Sequence, residues 1–374
     1  MDKLKILILN SSAIYGGGEF FCLQLARELY NEGYGIIVGS NNKSLLYQKC
    51  SEAGINTEHI NFPDKGTKGL GENIKTVREL IKNYNIDIVH SNTNYDRTTG
   101  AFAVRGTKAK HVTSLHSLES VQHNITHYIR NKFLTHHFIA DGNRIKDLII
   151  KQDNIPESKI SVVHNGINPD EMKRDNELRI KVRNEFGISD GEILIGNVGR
   201  LVEFKGQKYL LSAFKIISEK YNNAKLIITG DGELMNSLKE YSNALGLNDR
   251  VIFTGFRDDL NAVYSAFDIY AHTSVEGGGE LFPFSILYAM AQSLPVVAAR
   301  VGDIPQMVID SRMGYLVDEK SPFQISNRCM DLINDREKSI TLGKNGYIFL
   351  EQNFTLKKMT SEIEKIYEKT LVNT

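Results

Sequence analysis

Short apolar runs alternate with amphipathic stretches along most of the chain. KILILN at 5–10 and GIIVGS at 35–40 are two such runs, and FCLQLARELYNEGY lies between them. IDIVHSN at 86–92, HVTSLHS at 111–117, HHFIAD at 136–141 and ISVVHNG at 160–166 continue the series. Continuous apolar strands separated by helices indicate a parallel sheet that is covered by helices on both faces.

The same pattern restarts in the second half. A polar stretch, NPDEMKRDNELR at 168–179, is interpreted as a linker that leads into a helix. A second series of strands follows, namely EILIGNVGRL, KLIITGDGE, RVIFTGF, DIYAHTS and PVVAARVG. The sequence therefore predicts an α/β protein with two Rossmann-like doubly wound domains, 1–168 and 169–352. Residues 353–374 have a helical composition and are expected to pack back across the domain boundary, on the N-terminal domain.

Length and composition agree with this division. A chain of 374 residues exceeds what one hydrophobic core usually serves. The formal net charge is zero, which argues against a nucleic-acid-binding protein, because such a protein usually neutralises many phosphates with an excess of basic residues. The three cysteines are widely spaced and odd in number, so a disulfide framework is not expected. We expect a cytoplasmic protein, with no signal peptide and no membrane span.

Glycines and charged residues follow several of the predicted strands. In open α/β sheets, ligands bind beyond the carboxyl ends of the strands, so these loops are the candidate binding positions. Gly16 to Gly18 lead into a helix, where free N–H groups can bind an anion, although a tight turn explains them equally well. Arg200 and Lys205 follow EILIGNV and could bind a diphosphate from two sides, whereas a solvated basic loop is the alternative.

The order of these motifs is more specific than any one of them. GGGEF, a histidine after a strand, NGI, GRLVEFKG, GDGE, TGF and ELFPFSILYAMAQSLPVVAA occur in that order. This order resembles the retaining glycosyltransferases of family 4, also called glycosyltransferase group 1, which have the GT-B fold. The resemblance spans essentially the whole chain, and its C-terminal motifs are the more diagnostic. It implies two Rossmann-like domains that face each other across a cleft, with the donor bound mostly to the second domain and the acceptor to the first.

The resemblance also implies roles for individual residues. Arg200 and Lys205 match the cations that bind the donor diphosphate, Glu280 matches the acid that holds hydroxyls of the donor sugar, and His116 matches a histidine beside the transferred sugar. No metal or other cofactor is expected in this family. The remaining residues at matching donor-binding positions are Gly17, Gly18, Gly199, Gly230, Gly232, Phe256, Leu281, Phe282, Pro283, Phe284, Ser285 and Tyr288.

Simpler explanations remain open for these residues. Glu280 could be a first-turn acid that is favoured by the helix dipole. His116 could be a partly buried histidine whose hydrogen bonds are satisfied within the fold. Tyr288 occupies the place of a second acid, eight residues after the first, which in this family accepts hydrogen bonds from both ribose hydroxyls. A phenol has one oxygen, so we expect weaker or rearranged ribose recognition.

The resulting hypothesis is a glycosyltransferase that moves a hexosyl or N-acetylhexosaminyl group from a nucleotide-diphosphate sugar, most often a UDP-sugar, to a glycan or lipid-linked acceptor. The anomeric configuration is retained. Such a reaction would serve cell-surface polysaccharide synthesis. A sugar-nucleotide epimerase of the same architecture and a non-catalytic partner subunit are the alternatives. The stretch 121–151 has an excess of basic residues, and Ile125, Ile129 and Phe133 lie at helical spacing beside Arg130 and Lys132. We expect either peripheral contact with an anionic membrane, on its inner face, or a stripe that faces the core.

Overall fold

The computed structural model describes residues 3–63 and 68–372, which form two compact units. The first unit combines Met1–Asn165 with Leu356–Thr374, and the second is Gly166–Thr355. Each unit contains one sheet whose strand pairs are all parallel. This architecture confirms the predicted α/β fold.

The first unit has seven strands and seven α-helices in the residues described. Its strands are β1 Lys5–Leu9, β2 Gly35–Ser40, β3 Asn56–His59, β4 Ile88–Ser91, β5 Lys110–Leu115, β6 His137–Ala140 and β7 Ile160–Val162. Its helices are α1 Gly17–Asn31, α2 Leu45–Glu52, α3 Leu70–Tyr84, α4 Asn94–Ala103, α5 Ile125–Ile129, α6 Asn143–Lys151 and the last helix of the chain, α15 Leu356–Val372.

The second unit has a sheet of six strands. These are β8 Ile193–Val198, β9 Ala224–Thr229, β10 Val251–Gly255, β11 Ile269–His272, β12 Val296–Ala299 and β13 Gly314–Val317. Its helices are α7 Asn176–Glu185, α8 Gln207–Lys220, α9 Met235–Ala244, α10 Leu260–Ala266, α11 Phe284–Ala291, α12 Ile304–Met307, α13 Pro322–Asn334 and α14 Arg336–Asn353. The predicted linker is partly structured, because a 3-10 turn spans Pro169–Met172 and α7 begins soon after it.

Strand order places the candidate loops at one position in each sheet. The orders are β3-β2-β1-β4-β5-β6-β7 and β10-β9-β8-β11-β12-β13, so the direction of winding reverses between β1 and β4 and again between β8 and β11. The loops that follow two such neighbouring strands separate and leave a crevice, which is where open α/β sheets bind ligands. The loop after β8 contains Arg200 and Lys205, and the loop after β11 contains Glu280.

The central strands are buried because helices cover both faces of each sheet. Apolar residues of β1 and β4 pack with α3 in the first unit, as Leu7, Val89 and Val77 illustrate. In the second unit, residues of β8 and β9 pack with α8, for example Leu226 with Phe214. Strand β13 was not part of the predicted series, since its apolar run GYLV is only four residues long.

Helix α15 belongs to the first unit although it ends the chain. Its buried positions recur at helical spacing and include Met359, Ile363 and Tyr367. The Tyr367 hydroxyl lies 2.6 Å from Nδ1 of the buried His90 in β4, and Nε2 of His90 lies 2.8 Å from Ser114 Oγ in β5. The helix therefore adds to the core of that unit. The last two residues of the predicted C-terminal segment lie outside the described residues.

Candidate active site

The loops after β8, β9 and β10 are joined to each other by main-chain hydrogen bonds. The N–H of Gly199 donates to the carbonyl of Thr229 at 3.0 Å, and the N–H of Gly230 donates to the carbonyl of Gly255 at 2.9 Å. These bonds extend the parallel register beyond the strand ends. The glycines that were predicted as donor-binding residues, Gly199, Gly230 and Gly232, therefore come together at one edge of the sheet.

Gly230 meets two structural demands that a larger residue would not. Its φ of +135° is a conformation that other residues rarely adopt. A Cβ atom there would lie 2.0 Å from the carbonyl oxygen of Gly199, so the two loops could not approach as closely. The sequence motif GDGE thus has a local structural reason, which is the close packing of adjacent loops.

Glu280 is the centre of a buried polar cluster in the second unit. Its Oε2 accepts hydrogen bonds from Lys205 Nζ at 2.5 Å, Ser274 Oγ at 2.6 Å and His272 Nε2 at 3.1 Å. Its Oε1 has no hydrogen-bond partner among the residues described. One carboxylate oxygen is therefore held by three donors, while the other is left to accept from a ligand.

The charges in this cluster stabilise one another. Burial alone would raise the pKa of Glu280, but the positive charge of Lys205 and the contact with His272 hold it well below its ordinary range. Burial lowers the pKa of His272, so the ring is neutral and donates its Nε2 proton to the carboxylate. Two hydroxyls, those of Tyr270 and Ser285, each lie 3.4 Å from Nδ1 of this ring. Glu280 is thus ionised and its orientation is fixed.

The first-turn explanation for Glu280 is wrong in this structure. Helix α11 begins at Phe284, and its N-cap is Pro283, which makes no side-chain cap. Glu280 lies outside the helix, in the loop that follows β11. Its side chain contacts the loop after β8 through Lys205 instead.

Arg200 and Lys205 lie around the ring of Phe204. The guanidinium carbon of Arg200 is 5.9 Å from the ring centroid, and Nζ of Lys205 is 5.3 Å from it. The Arg200 side chain is exposed, whereas that of Lys205 is only 16% exposed. Gly278 packs directly on the same ring, since a Cβ there would lie 1.9 Å from Phe204 Cγ. The two cations are therefore held on one aromatic platform at the end of β8.

The segment Leu281 to Ser285 presents mainly its backbone. The side chains of Leu281, Phe282 and Pro283 are buried, and the Phe282 ring packs on Phe354 with centroids 4.9 Å apart. Phe284 and Ser285 form the first turn of α11 and are partly exposed. The three buried side chains therefore pack inside the unit, and the segment offers a ligand mainly its backbone.

Tyr288 lies within α11 and is mostly buried, at 8% exposure. Its ring makes an edge-to-face contact with Tyr264, with centroids 5.8 Å apart. Phe256 is the opposite case, because its ring is 69% exposed directly after β10. An exposed aromatic ring beside the Gly230 loop is available for stacking against a planar ligand.

His116 lies at the end of β5 in the first unit. Its Nδ1 is 2.9 Å from Asp141 Oδ2, and its Nε2 is 3.2 Å from Asn92 Oδ1. Burial would lower the pKa of His116, but the carboxylate of Asp141 outweighs burial and raises it. Both ring nitrogens of His116 therefore have hydrogen-bond partners within the first unit, as expected for a partly buried structural histidine.

The glycine loop after β1 lies directly against this histidine. A Cβ atom on Gly18 would be 3.4 Å from Cδ2 of His116. Gly17 begins α1, and Glu19 closes the turn by accepting the N–H of Gly16 at 2.9 Å. Gly17, Gly18 and His116 are therefore neighbours at the same edge of the sheet.

Four polar residues of these clusters were not predicted from the sequence, namely Asn92, Asp141, His272 and Ser274. All four end an apolar strand or follow it within two residues, in IDIVHSN, HHFIAD and DIYAHTS. Because ligands bind beyond the carboxyl ends of strands, applying that rule to every strand would have identified them.

The segment around α5 exposes apolar side chains, contrary to the idea of a stripe that faces the core. Ile125 is 70% exposed, Phe133 65% and Ile129 40%. Arg130, which lies beside these residues in the sequence, is fully buried and donates to Asn94, Thr98 and Val121, so it adds no exposed positive charge to this surface. Among the described residues, no helix is both long and apolar enough to cross a bilayer.

Two protein-family models match the chain. The model described as "Glycosyltransferase Family 4" matches residues 15–171, and the model described as "Glycosyl transferases group 1" matches residues 179–349. The first match lies mostly in the first unit, and the second lies within the second unit.

Curated relatives and solved structures agree with these matches. The Escherichia coli UDP-Gal:alpha-D-GlcNAc-diphosphoundecaprenol alpha-1,3-galactosyltransferase is 24% identical, with 100% of this chain and 98% of that protein covered. An uncharacterized glycosyltransferase of Methanocaldococcus jannaschii is 35% identical over 50% of this chain, which spans about half (48%) of that relative. The crystal structure of HepE from Anabaena in complex with UDP-glucose is 25% identical, with a TM-score of 0.85 and coverage of 98% and 100%.

Proposed function

Because the chain belongs to the group 1 glycosyltransferases, we propose that it transfers a hexosyl or N-acetylhexosaminyl group from a nucleotide-diphosphate sugar to a glycan or lipid-linked acceptor. The observation that carries this proposal is the cluster of Lys205, His272 and Ser274 around Glu280, beside the point where the winding of the second sheet reverses. This cluster combines a cation with a carboxylate, and three donors hold only one oxygen of that carboxylate. A sugar diphosphate needs both.

The diphosphate of the donor is bound by Arg200 and Lys205. Arg200 is exposed at the end of β8 and offers a planar fork to phosphate oxygens, while Lys205 offers a compact charge. As the bond between the anomeric carbon and the phosphate oxygen breaks, negative charge grows on the leaving nucleotide. Two preorganised cations lower the energy of that state more than the energy of the bound donor.

The sugar of the donor is held by Glu280. Its Oε1 accepts from sugar hydroxyls, while Oε2 stays on Ser274 and His272 when Lys205 turns toward the phosphate. The acceptor hydroxyl attacks the same face of the sugar from which the phosphate leaves. Its proton passes to the departing phosphate oxygen, so the anomeric configuration is retained. His116, with Gly17 and Gly18 beside it, stays a prediction as the histidine beside the transferred sugar.

The nucleoside is bound beside the ends of β9 and β10. The exposed ring of Phe256 stacks on the base, and the Gly230 and Gly232 turns give the phosphates access to the backbone. The main chain of Leu281 to Ser285 completes the site. Tyr288 offers at most one ribose hydrogen bond through its hydroxyl, so ribose recognition is weaker than a second carboxylate would give.

Uridine is the base that we propose. The name of the Escherichia coli relative specifies a UDP-sugar donor, and HepE was crystallised with UDP-glucose. A thermal-shift panel of UDP, GDP and ADP tests this, because a ligand that binds only the folded state raises the melting temperature as its concentration exceeds its Kd. We expect the largest rise with UDP. A larger rise with GDP would reverse the assignment of the base, and no rise with any nucleotide would contradict the site.

The acceptor side of the proposal includes an anionic lipid surface. The apolar patch formed by Ile125, Tyr128, Ile129 and Phe133 is exposed, and Lys132 Nζ lies 5.4 Å above the Phe133 ring. An apolar face with a cation at its rim suits the interface of an anionic bilayer, where a lipid-linked acceptor would be found. Such contact is peripheral and places the enzyme at the inner face of the membrane, where it takes part in cell-surface polysaccharide synthesis.

Flotation with anionic vesicles tests this membrane contact. We expect the protein to float with the vesicles at low salt and less at high salt. The double variant Ile125→Ser/Phe133→Ser should remain at the bottom of the gradient. The control Phe323→Ser removes an equally exposed phenylalanine from the second unit and should behave as the unchanged protein does. Equal flotation of both variants, or none by the unchanged protein, would contradict the assignment of this surface.

A further inference from the structure

The imidazole of His116 lies between two hydrogen-bond acceptors, one at each ring nitrogen. Asp141 Oδ2 is 2.9 Å from Nδ1, and Asn92 Oδ1 is 3.2 Å from Nε2. We propose that Asp141 and Asn92 hold His116 as an imidazolium, with both of its N–H groups engaged inside the first unit. Asp141 is then a positioning residue that fixes the charge of the histidine.

Asn92 determines the protonation of Nε2. Its Nδ2 donates to the carbonyl of Leu9 at 3.0 Å and points toward that of His90 at 3.5 Å. These two carbonyls fix which end of the amide carries hydrogen, so the oxygen Oδ1 faces His116. An amide oxygen can only accept, and Nε2 must therefore carry a proton.

Asp141 determines the protonation of Nδ1. The Asp141 side chain is 6% exposed, and its other oxygen, Oδ1, is buried and has no hydrogen-bond partner among the described residues. An ionised carboxylate in such a place is costly unless a cation lies next to it. A proton on Nδ1 completes an imidazolium, which supplies that cation at hydrogen-bond distance.

The surroundings of the ring favour the charged form on balance. Phe21 of α1 packs on the ring with centroids 4.7 Å apart, which is close enough for a cation–π contact. Glu19, also on α1, adds negative charge, whereas Arg97 on α4 opposes it. His90 of β4 is neutral because burial lowers its pKa to about 3. The carboxylates therefore outweigh the one nearby cation.

This protonation state restricts what His116 can do in catalysis. An imidazolium with both N–H groups engaged has no lone pair, so it cannot remove a proton from an acceptor hydroxyl. It can contribute a fixed positive charge to a ligand beside it. This consequence rests on the proposed glycosyl transfer, whereas the protonation state itself does not.

Nitrogen NMR of the side chains tests the protonation state without any substrate. In long-range proton–nitrogen spectra at pH 7, we expect His116 to show two protonated nitrogens, while His90 of the same sample shows one and serves as the internal reference. In Asp141→Asn, the midpoint of the His116 titration should move to lower pH, and a single protonated nitrogen should remain at pH 7. Asp147→Asn removes an exposed carboxylate from α6 and should leave the midpoint unchanged.

One protonated nitrogen on His116 in the unchanged protein at pH 7 would overturn the proposal, even if Asp141→Asn fails to fold. An unchanged midpoint in a folded Asp141→Asn variant would overturn the role of Asp141. The pH dependence of turnover gives a separate readout, since the alkaline loss of activity should begin at lower pH in Asp141→Asn. If the NMR result holds and no glycosyl transfer occurs, the proposed function fails and the charge assignment stands.

Discussion

Replacement of Lys205 by alanine separates catalysis from stability at the centre of the proposed site. Lys205 Nζ lies 2.5 Å from Glu280 Oε2, and the two side chains are 16% and 8% exposed. Removing one partner of a buried ion pair leaves the other uncompensated, which costs about 3 to 5 kcal/mol of unfolding free energy. Ser274 and His272 still donate to that oxygen, so we expect a loss of about 3 kcal/mol.

The loss of turnover in Lys205→Ala has a different physical cause from the loss of stability, so a second substitution can restore one without the other. Removing one preorganised donor that stabilises developing charge lowers turnover by about two to three powers of ten, or about 2.7 to 4 kcal/mol of barrier. Adding Glu280→Gln to Lys205→Ala removes the uncompensated charge, so stability should recover in the double variant while turnover does not.

Denaturant unfolding and turnover at saturating donor are the two assays. Lys208→Ala is the matched control. Lys208 lies three residues after Lys205, and its ion pair with Glu203 is on the surface. We expect it to change both quantities little. Near-normal turnover of Lys205→Ala at saturating donor would refute the assignment of Lys205 to the leaving phosphate.

Three further substitutions probe the rest of the site. Tyr288→Glu should strengthen UDP binding in calorimetry by about 1.5 to 3 kcal/mol, through two regained bonds to a charged oxygen; loss of binding together with a harmless Tyr288→Phe would make the tyrosine a packing residue. Gly278→Ala must displace the Phe204 ring and should raise the KM for the donor, so an unchanged KM would exclude the ring as a platform. Ser274→Ala removes a hydrogen bond to a charged oxygen and should raise that KM about tenfold by loosening Glu280; a lower melting temperature with an unchanged KM would make the serine merely structural.

The sequence predicted the architecture because its signals are periodic. Continuous apolar runs such as KILILN and EILIGNVGRL become central parallel strands, and the break at 168–179 falls near the start of the second unit. Strand β13 and helix α14 were not predicted, since a four-residue run and a helix with mixed polarity give weak patterns. Their positions depend on packing with neighbours that are distant in sequence.

The candidate site could be predicted only in part, for a related reason. Arg200, Lys205 and Glu280 follow strands and carry charge, so the sequence indicates them individually. The pairing of Lys205 with Glu280 depends on β8 and β11 being neighbours in the sheet, which strand order determines. The roles of Ser274 and Asp141 depend on side-chain geometry within loops, which residue type does not specify.

Proton NMR of a UDP-hexose incubated with the protein, without an added acceptor, tests the central claim most directly. A retaining transferase leaks a little sugar to water, so the account predicts slow release of UDP and of a free sugar that first appears in the anomeric configuration of the donor. The signal should be much slower with Lys205→Ala. Release of the opposite anomer first would contradict retention, and UDP with an epimerised sugar would indicate an epimerase. No release of UDP or GDP from any of a panel of UDP- and GDP-sugars would indicate a non-catalytic subunit and contradict the proposed function.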